Sequence, residues 1–410
     1  MARAPDGPGP PVRPDRPERP FPPPRRHRAS RLAGGLPVAH RGPAQSGARL
    51  GAHRPRADRG PAGPERPHRA RAGGRREPLM AAQRGVLLGL GGVARQAHLP
   101  AFLEGDGVAD RLRLVGTVDA GRRGVAGLTH LARRDRISEL GPIDFIDVCT
   151  PTASHLELTL WGLESGYHVL CEKPVALTSH QVNRIAAAAG PAGRVVMGCH
   201  QHRFNPAWQK LREWLDAGAI GDWHLAEFQV YRLAADAGAA HAGGPWRGRR
   251  AEALGGVLLD HGTHLIYQLL DVAGMPRMVQ AWAGRLRHRS YDVEDTAQLL
   301  LEFEDRVGML FLTWAADRRE TRIRFTGSDG SIEWSGGRLR LTGRHGPLEE
   351  DFTAQLDKAS YAGWFASLFH QFADRIERAD TSTSLEDIAR VTQVLEAAYG
   401  AHASGCRVAI

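Results

Sequence analysis

From Arg84 the chain reads Arg-Gly-Val-Leu-Leu-Gly-Leu-Gly-Gly-Val-Ala, an apolar strand that breaks at Gly89 and continues as a helix after one glycine-rich turn. This is the strongest constraint on the fold. A strand that feeds a helix through so short a turn opens a βαβ unit, and such units build parallel sheets. The same alternation continues downstream. Strands are expected at Arg84–Leu90, Leu112–Val118, Phe145–Cys149, His168–Glu172 and Arg194–Cys199, with helices at 94–104, Thr152–Ser165 and Thr178–Ala189. From about Trp223 the pattern changes. His224–Arg232, Met278–His288, Thr296–Phe303, Val307–Trp314, Thr321–Gly327, Ser331–Trp334 and Arg338–Thr342 read as strands. Short polar turns such as Gly-Ser-Asp-Gly at 327–330 and Gly336-Gly337 join several of them, as in antiparallel hairpins. A helix is expected at 254–273. A last one, Ser384–Ser404, is opened by the capping-box pattern Ser384-x-x-Asp387.

Charge separates a leader from this periodic region. Residues 1–79 carry 18 arginines, six acids and 17 of the 26 prolines, a net charge of +12, whereas the remainder of the chain is at −3. So proline-dense a segment buries little and breaks helices, so disorder is expected. Met80, directly before the first strand, suits a start site better than a basic arm or a transit peptide suits the leader. The rest is long enough for two domains, one of alternating strands and helices at 80–200 and a second at 201–410. No stretch is apolar enough to span a membrane. Cys149, Cys171, Cys199 and Cys406 show no paired spacing, as expected of a cytoplasmic protein with reduced thiols. The basic charge lies in the leader, so no nucleic-acid partner is expected.

The turn is Gly89-Leu90-Gly91-Gly92-Val93-Ala94, a G-x-G-x-x-A match in the strand–turn–helix context that a dinucleotide site requires. Gly89 permits the bend, Gly91 lets backbone approach a pyrophosphate, Ala94 lets the helix pack closely, and the helix start at Gly92 and Val93 faces the phosphates. Asp119, at the end of the second strand, is the acid expected to hold the ribose hydroxyls. It lies 30 residues after Gly89, where about 20 is usual. A carboxylate there favours NAD. Arg122, close behind, could pair with a 2′-phosphate and keeps NADP open. Thr150, Pro151, His155 and Glu172 lie near the same sheet edge and complete the expected cofactor-facing set.

Three residues can carry chemistry. Lys173, in Glu-Lys-Pro at a strand's C-terminal end, is one of only three lysines. Asp260 and His264 are spaced i, i+4, which places them on one helical face. His264 can exchange a proton with a hydroxyl or carbonyl, and Asp260 can orient it. His261 points about 100° away from Asp260 on a regular helix. No metal-ligand set stands out.

Taken together, Gly89-x-Gly91-x-x-Ala94, Thr150-Pro151, Glu172-Lys173-Pro174, Arg203-Phe204-x-Pro206, Gly255-Gly256-x-x-x-Asp260-x-x-x-His264 and Val293-Glu294-Asp295 resemble the glucose–fructose oxidoreductase/inositol dehydrogenase/MocA-like family over roughly 84–410. The resemblance implies an α/β protein: a Rossmann domain, then an α/β domain with an open, mainly antiparallel sheet whose face serves a homo-oligomer, a dimer or tetramer. It implies NAD(P)-dependent interconversion of a secondary alcohol and a ketone on a sugar, cyclitol or related polyol, with no metal. Carried over, Lys173 polarises the reacting oxygen, His264 is the acid/base, Asp260 positions substrate and His264, and the Lys173–Pro174 bond is cis. His202 and Arg203 fall where relatives contact substrate, although relatives often carry Arg or Asn where His202 stands. Leu233–Arg250 has no clear counterpart and is a candidate lid. Glycoside hydrolysis through a transient redox cycle and a catalytically silent nucleotide-binding regulator are the alternatives such a resemblance leaves.

Overall fold

A computed structural model describes residues 81–121, 124–235, 246–344, 346–356 and 360–410. The Arg/Pro-rich leader, Arg122 and most of the candidate lid lie outside the described residues. The expected alternation folds into a six-stranded sheet: β1 (Gln83–Leu88), β2 (Leu112–Val118), β3 (Thr129–Leu131), β4 (Phe145–Val148), β5 (His168–Cys171) and β6 (Val196–Gly198). Its order is β3-β2-β1-β4-β5-β6 and every pairing is parallel. This is the doubly wound order. The chain reverses direction across the sheet between β1 and β4, and a crevice opens there at the strands' carboxyl ends. The turns after β1, β2, β4, β5 and β6 all meet that edge.

The second sheet contains β7 (Trp223–Tyr231), β8 (Met278–Gly284), β9 (Thr296–Glu302), β10 (Val307–Thr313), β11 (Glu320–Gly327), β12 (Gly330–Ser335), β13 (Arg338–Gly343), β14 (Gly346–Asp351) and β15 (Val408–Ala409). The order is β14-β13-β12-β11-β7-β10-β9-β8-β15. Only β7 and β10 pair in parallel; the other pairings, hairpins and the long-range pairs β11–β7 and β15–β8, are antiparallel. Alternate residues, such as Ala226, Phe228 and Val230 on β7 and Leu310 and Leu312 on β10, turn inward. There they meet Trp208 from the helix Pro206–Asp216, Ile266 and Tyr267 from Thr263–Ala273, and Val394 from Thr383–Ser404.

Three local features depart from the expected pattern. The helices expected at 94–104 and 254–273 each contain a π-turn, Ala94–His98 and Leu258–Gly262. The pattern Ser384-x-x-Asp387 does not cap its helix, which starts one residue earlier; Asp380 accepts the N–H groups of Ser382 and Thr383 instead. The helix Tyr361–Glu377 leaves the second sheet and covers the first, where Phe365, Phe369 and Phe372 join Leu87, Leu90, Phe102 and Phe145. Among the described residues no helix is long and apolar enough to cross a membrane.

Candidate active site

The glycine turn has the shape a dinucleotide needs. Gly89 has φ +91°, and a Cβ there would stand 2.9 Å from the Cys149 carbonyl oxygen and from Thr150 Cγ2, so only glycine fits. At Gly91 an added Cβ would meet nothing nearer than the Cys149 oxygen at 3.9 Å, which leaves the backbone open to a phosphate. The first-turn N–H groups from Gly92 and Val93 have no preceding helical carbonyl and suit an anion. Asp119 stands beside the turn. Its Oδ2 accepts the Leu90 N–H at 2.8 Å and its Oδ1 accepts that of Gly121 at 2.9 Å. Pro151 leads into the short turn Thr152–Ser154, where the Ser154 hydroxyl donates to Thr150 Oγ1. These residues fit a dinucleotide.

Two of the expected cofactor contacts point elsewhere. His155 is buried, with Nδ1 2.8 Å from the Pro174 carbonyl oxygen and Nε2 2.8 Å from that of Thr150. It staples the turns after β4 and β5 together, and burial lowers its pKa. Glu172 turns away from the crevice into the interior. Its Oε1 lies 3.0 Å from Nε2 of His98, and its Oε2 accepts the Lys173 N–H at 3.2 Å.

At the end of β5, the Lys173 Nζ donates to both the backbone oxygen and Oδ1 of Asp260, each at 2.7 Å. The Lys173–Pro174 peptide is cis. Burial alone would raise the pKa of Asp260, but Lys173, Arg247 and His261 pull it far below the usual carboxylate range. Arg247 Nε is 3.4 Å from Asp260 Oδ2. Asp260 does not pair with His264. Asp260 sits inside the π-turn Leu258–Gly262, and a widened turn undoes the i, i+4 alignment of a regular helix. The nearer imidazole is His261, Nδ1 at 3.4 Å from Asp260 Oδ2, although that nitrogen accepts the Trp314 indole N–H at 3.3 Å. Burial and neighbouring cations hold His261 down to about 3.

His264 is buried, with Nδ1 2.9 Å from the Tyr267 hydroxyl. The hydroxyl oxygen also accepts the His202 N–H at 3.0 Å. The His202 ring stacks on His264 with centroids 4.2 Å apart. Burial, then Lys173, His202, His261 and His200, push the His264 pKa well below its ordinary value, so the ring is neutral near pH 7. His202 thus packs against His264. Arg203 is engaged elsewhere: its guanidinium makes four hydrogen bonds to Asp271 and Asp387 at 2.7–3.3 Å. One of its five N–H groups is left over.

Sequence reasoning missed His98, Asp147, Arg247 and Tyr267. His98 is fully buried, with Nδ1 2.7 Å from Asp147 Oδ2. Burial opposes its charge, but Asp147 and then Glu172 raise its pKa to about 9. The one signal available was an acid, Asp147, inside the apolar strand Phe-Ile-Asp-Val, since a buried carboxylate needs a cationic or donor partner. Among the described residues His98, Asp147 and Cys199 also lie close enough to share a metal ion. Both His98 ring nitrogens already face carboxylates, however.

Two family models match this chain: residues 84–200 match "Oxidoreductase family, NAD-binding Rossmann fold", and residues 208–333 match "GFO/IDH/MocA C-terminal domain". D-glucoside 3-dehydrogenase of Escherichia coli is 30% identical over 197 residues, 44% of this chain and 54% of that protein. D-apiose dehydrogenase of Paraburkholderia graminis is 29% identical over 288 residues, 64% of this chain and 70% of that protein. The alignments span about half the length of the first curated relatives. Among solved structures, an oxidoreductase from Agrobacterium radiobacter in complex with NAD+, L-tartaric acid and magnesium superposes with a TM-score of 0.69 at 22% identity. It covers 80% of this chain and 98% of that one.

Proposed function

The chain belongs to the Gfo/Idh/MocA family of oxidoreductases, and on that premise we propose that it interconverts a secondary alcohol and a ketone on a sugar, cyclitol or related polyol. The observation that carries this reading is the ammonium of Lys173. It is held at 2.7 Å by Asp260, on the sheet edge where the glycine turn opens toward a dinucleotide. Bound there, a nicotinamide supplies or accepts the hydride. Asp119 at the end of β2 is unfavourable to a 2′-phosphate, which supports NAD over NADP.

The chain's own groups divide the remaining work. Asp260 fixes Lys173 so that its ammonium can donate to the reacting oxygen. Charge building on that oxygen is then met by a positioned cation in a largely buried site, where such contacts are stronger than in water. His264, neutral at pH 7, takes up the hydroxyl proton in the oxidation direction and returns it in reduction. For Nε2 to take up that proton it must be the bare nitrogen, so in the oxidation direction Nδ1–H donates to the Tyr267 hydroxyl oxygen 2.9 Å away. His202 stacks against this ring and limits its motion.

Replacing Lys173 by Met tests the assignment. With a sugar or polyol that the wild type turns over, followed at the reduced-nicotinamide absorbance band, kcat should fall about 100- to 1,000-fold. NAD(H) affinity by fluorescence titration should stay within a few-fold. Normal turnover by folded Lys173→Met would overturn the proposal.

A further inference from the structure

We propose that His98 is a positioning residue: a buried imidazolium that ties the helix after the glycine turn to the Lys173-bearing strand end, and so sets where Lys173 stands. The inference rests on Lys173 being the residue that polarises the reacting oxygen.

Charge matching points to this role. Two carboxylates, Asp147 on β4 and Glu172 after β5, are buried side by side. Neither can lose its hydration without a cation or several donors. Lys173 is the nearest fixed cation in sequence, but its ammonium faces Asp260 at 2.7 Å. The His98 ring lies between the two acids, Nδ1 2.7 Å from Asp147 and Nε2 3.0 Å from Glu172. A neutral imidazole can donate from only one nitrogen, and two ionised carboxylates are both met only when both N–H groups are present, a demand that the uncharged carbonyl oxygens beside His155 make far more weakly. Cys149 Sγ, 3.2 Å from Nδ1, adds a weak contact. The other facing groups are Cys199 and, beyond Glu172, Lys173. Phe365 and Phe369 cover the ring at 4.3 and 5.6 Å between centroids and bring no charge. With both ring nitrogens protonated neither offers a lone pair, so a metal at His98, Asp147 and Cys199 would have to displace a proton to bind.

The connection to the chemistry runs through Glu172. One carboxylate oxygen accepts from His98 and the other accepts the Lys173 N–H. The imidazolium therefore fixes the carboxylate that fixes the lysine backbone. At its other end it belongs to the π-turn Ala94–His98, which starts at the dinucleotide turn. One ring thus links the two halves of the site, which must meet within a fraction of an ångström for hydride transfer.

The test uses the full chain labelled with 15N-histidine, the His98 signals being assigned by their loss in His98→Gln. Both His98 ring nitrogens should show imidazolium shifts at pH 7.5 and titrate near pH 9. In Glu172→Gln the ring should deprotonate at lower pH. Folded His98→Gln should lose about 100-fold in kcat, the cost of a misplaced catalytic group, with substrate KM within a few-fold. Where His98→Gln does not fold, Glu172→Gln carries the kinetic arm, with a similar loss of kcat expected. A neutral imidazole pattern at pH 7.5, or wild-type kcat in the folded variant, would overturn the proposal. The nitrogen shifts do not depend on the reaction. If Lys173→Met keeps full activity while His98 remains an imidazolium, the assignment of Lys173 has failed and not the charge on the ring.

Discussion

A guanidinium with four charge-assisted hydrogen bonds to two carboxylates works as a structural clamp. Arg203 joins Asp271 on the helix Thr263–Ala273 to Asp387 on Thr383–Ser404, and its pKa is raised because those two charges outweigh its burial. Removing it would leave two partly buried acids uncompensated. Arg203→Met should therefore cost about 3–5 kcal/mol, and Arg203→Lys should recover only part, because an ammonium cannot reproduce the bidentate fork. Urea unfolding reads the loss, and the substrate KM of the folded variants should stay near the wild type. A large rise in KM at unchanged stability would instead make Arg203 a substrate contact. The same contrast explains what the sequence reveals at this scale. Lys173 is conspicuous because lysine is scarce and Glu-Lys-Pro ends a buried strand. Arg203 is equally conspicuous, yet its partners lie 68 and 184 residues away, so nothing local shows that it is already engaged. His98 is the reverse case. A histidine on an apolar helix face suggests packing, and only the fold brings Asp147 and Glu172 to it.

At the scale of elements, the helix Tyr361–Glu377 determines whether the parallel sheet is complete. Its aromatic face closes the side of that sheet on which His98 and Phe102 lie. Phe369 stacks on Phe102 with centroids 4.0 Å apart, and Phe372 meets Phe145 edge-on at 5.9 Å. Phe369 is fully buried, and its truncation leaves a cavity that close-packed neighbours cannot refill. Phe369→Ala should cost about 3–5 kcal/mol. Urea unfolding followed separately by aromatic circular dichroism and by NAD(H) binding should show both signals lost together. Loss of stability with an independently persisting nucleotide-binding unit would contradict this role. Most of the strands, and the regular helices near 155–164 and 179–192, are legible from their period alone, because a buried face repeats every two or every 3.6 residues; β3, β14, β15 and the helices Pro206–Asp216 and Tyr361–Glu377 are not among the expected elements. Both π-turns escape that test. Each inserts one residue into an otherwise regular helix, and each sits at the site. The helical wheel that placed Asp260 beside His264 fails for that reason, and Asp260 instead reaches Lys173 across the crevice.

At the scale of the whole molecule, buried histidines of two kinds give stability a lopsided dependence on pH. Burial holds His155, His168, His200, His202, His261 and His264 below the ordinary value of 6.5; His168 falls to about 4, and His200, His202 and His261 to about 3. The unfolded chain takes up protons there before the folded one does. The stability these rings contribute is present above 6.5 and drains away as pH falls toward 3. His98 has the opposite sign. Raised to about 9, it stabilises fully below 6.5, and that contribution is lost as pH rises through 9. On the alkaline side one histidine proton is at stake up to about pH 8, above which the buried thiols of Cys149, Cys171 and Cys199, raised by burial, add to the loss as they ionise in the unfolded chain; several protons are at stake on the acid side. Each contributes a slope of about 1.4 kcal/mol per pH unit while it differs between the two states. Unfolding free energy measured in urea should therefore peak near pH 6.5. It should fall with a one-proton slope up to about pH 8, losing about 2 kcal/mol there, steepen above that as the cysteines ionise in the unfolded chain, and fall several times more steeply on the acid side. In folded His98→Gln the alkaline slope should flatten while the acid limb stays. A wild-type profile that is level between 6.5 and 8, or a slope there unchanged by the substitution, would show that the two buried carboxylates are neutralised by something other than this ring.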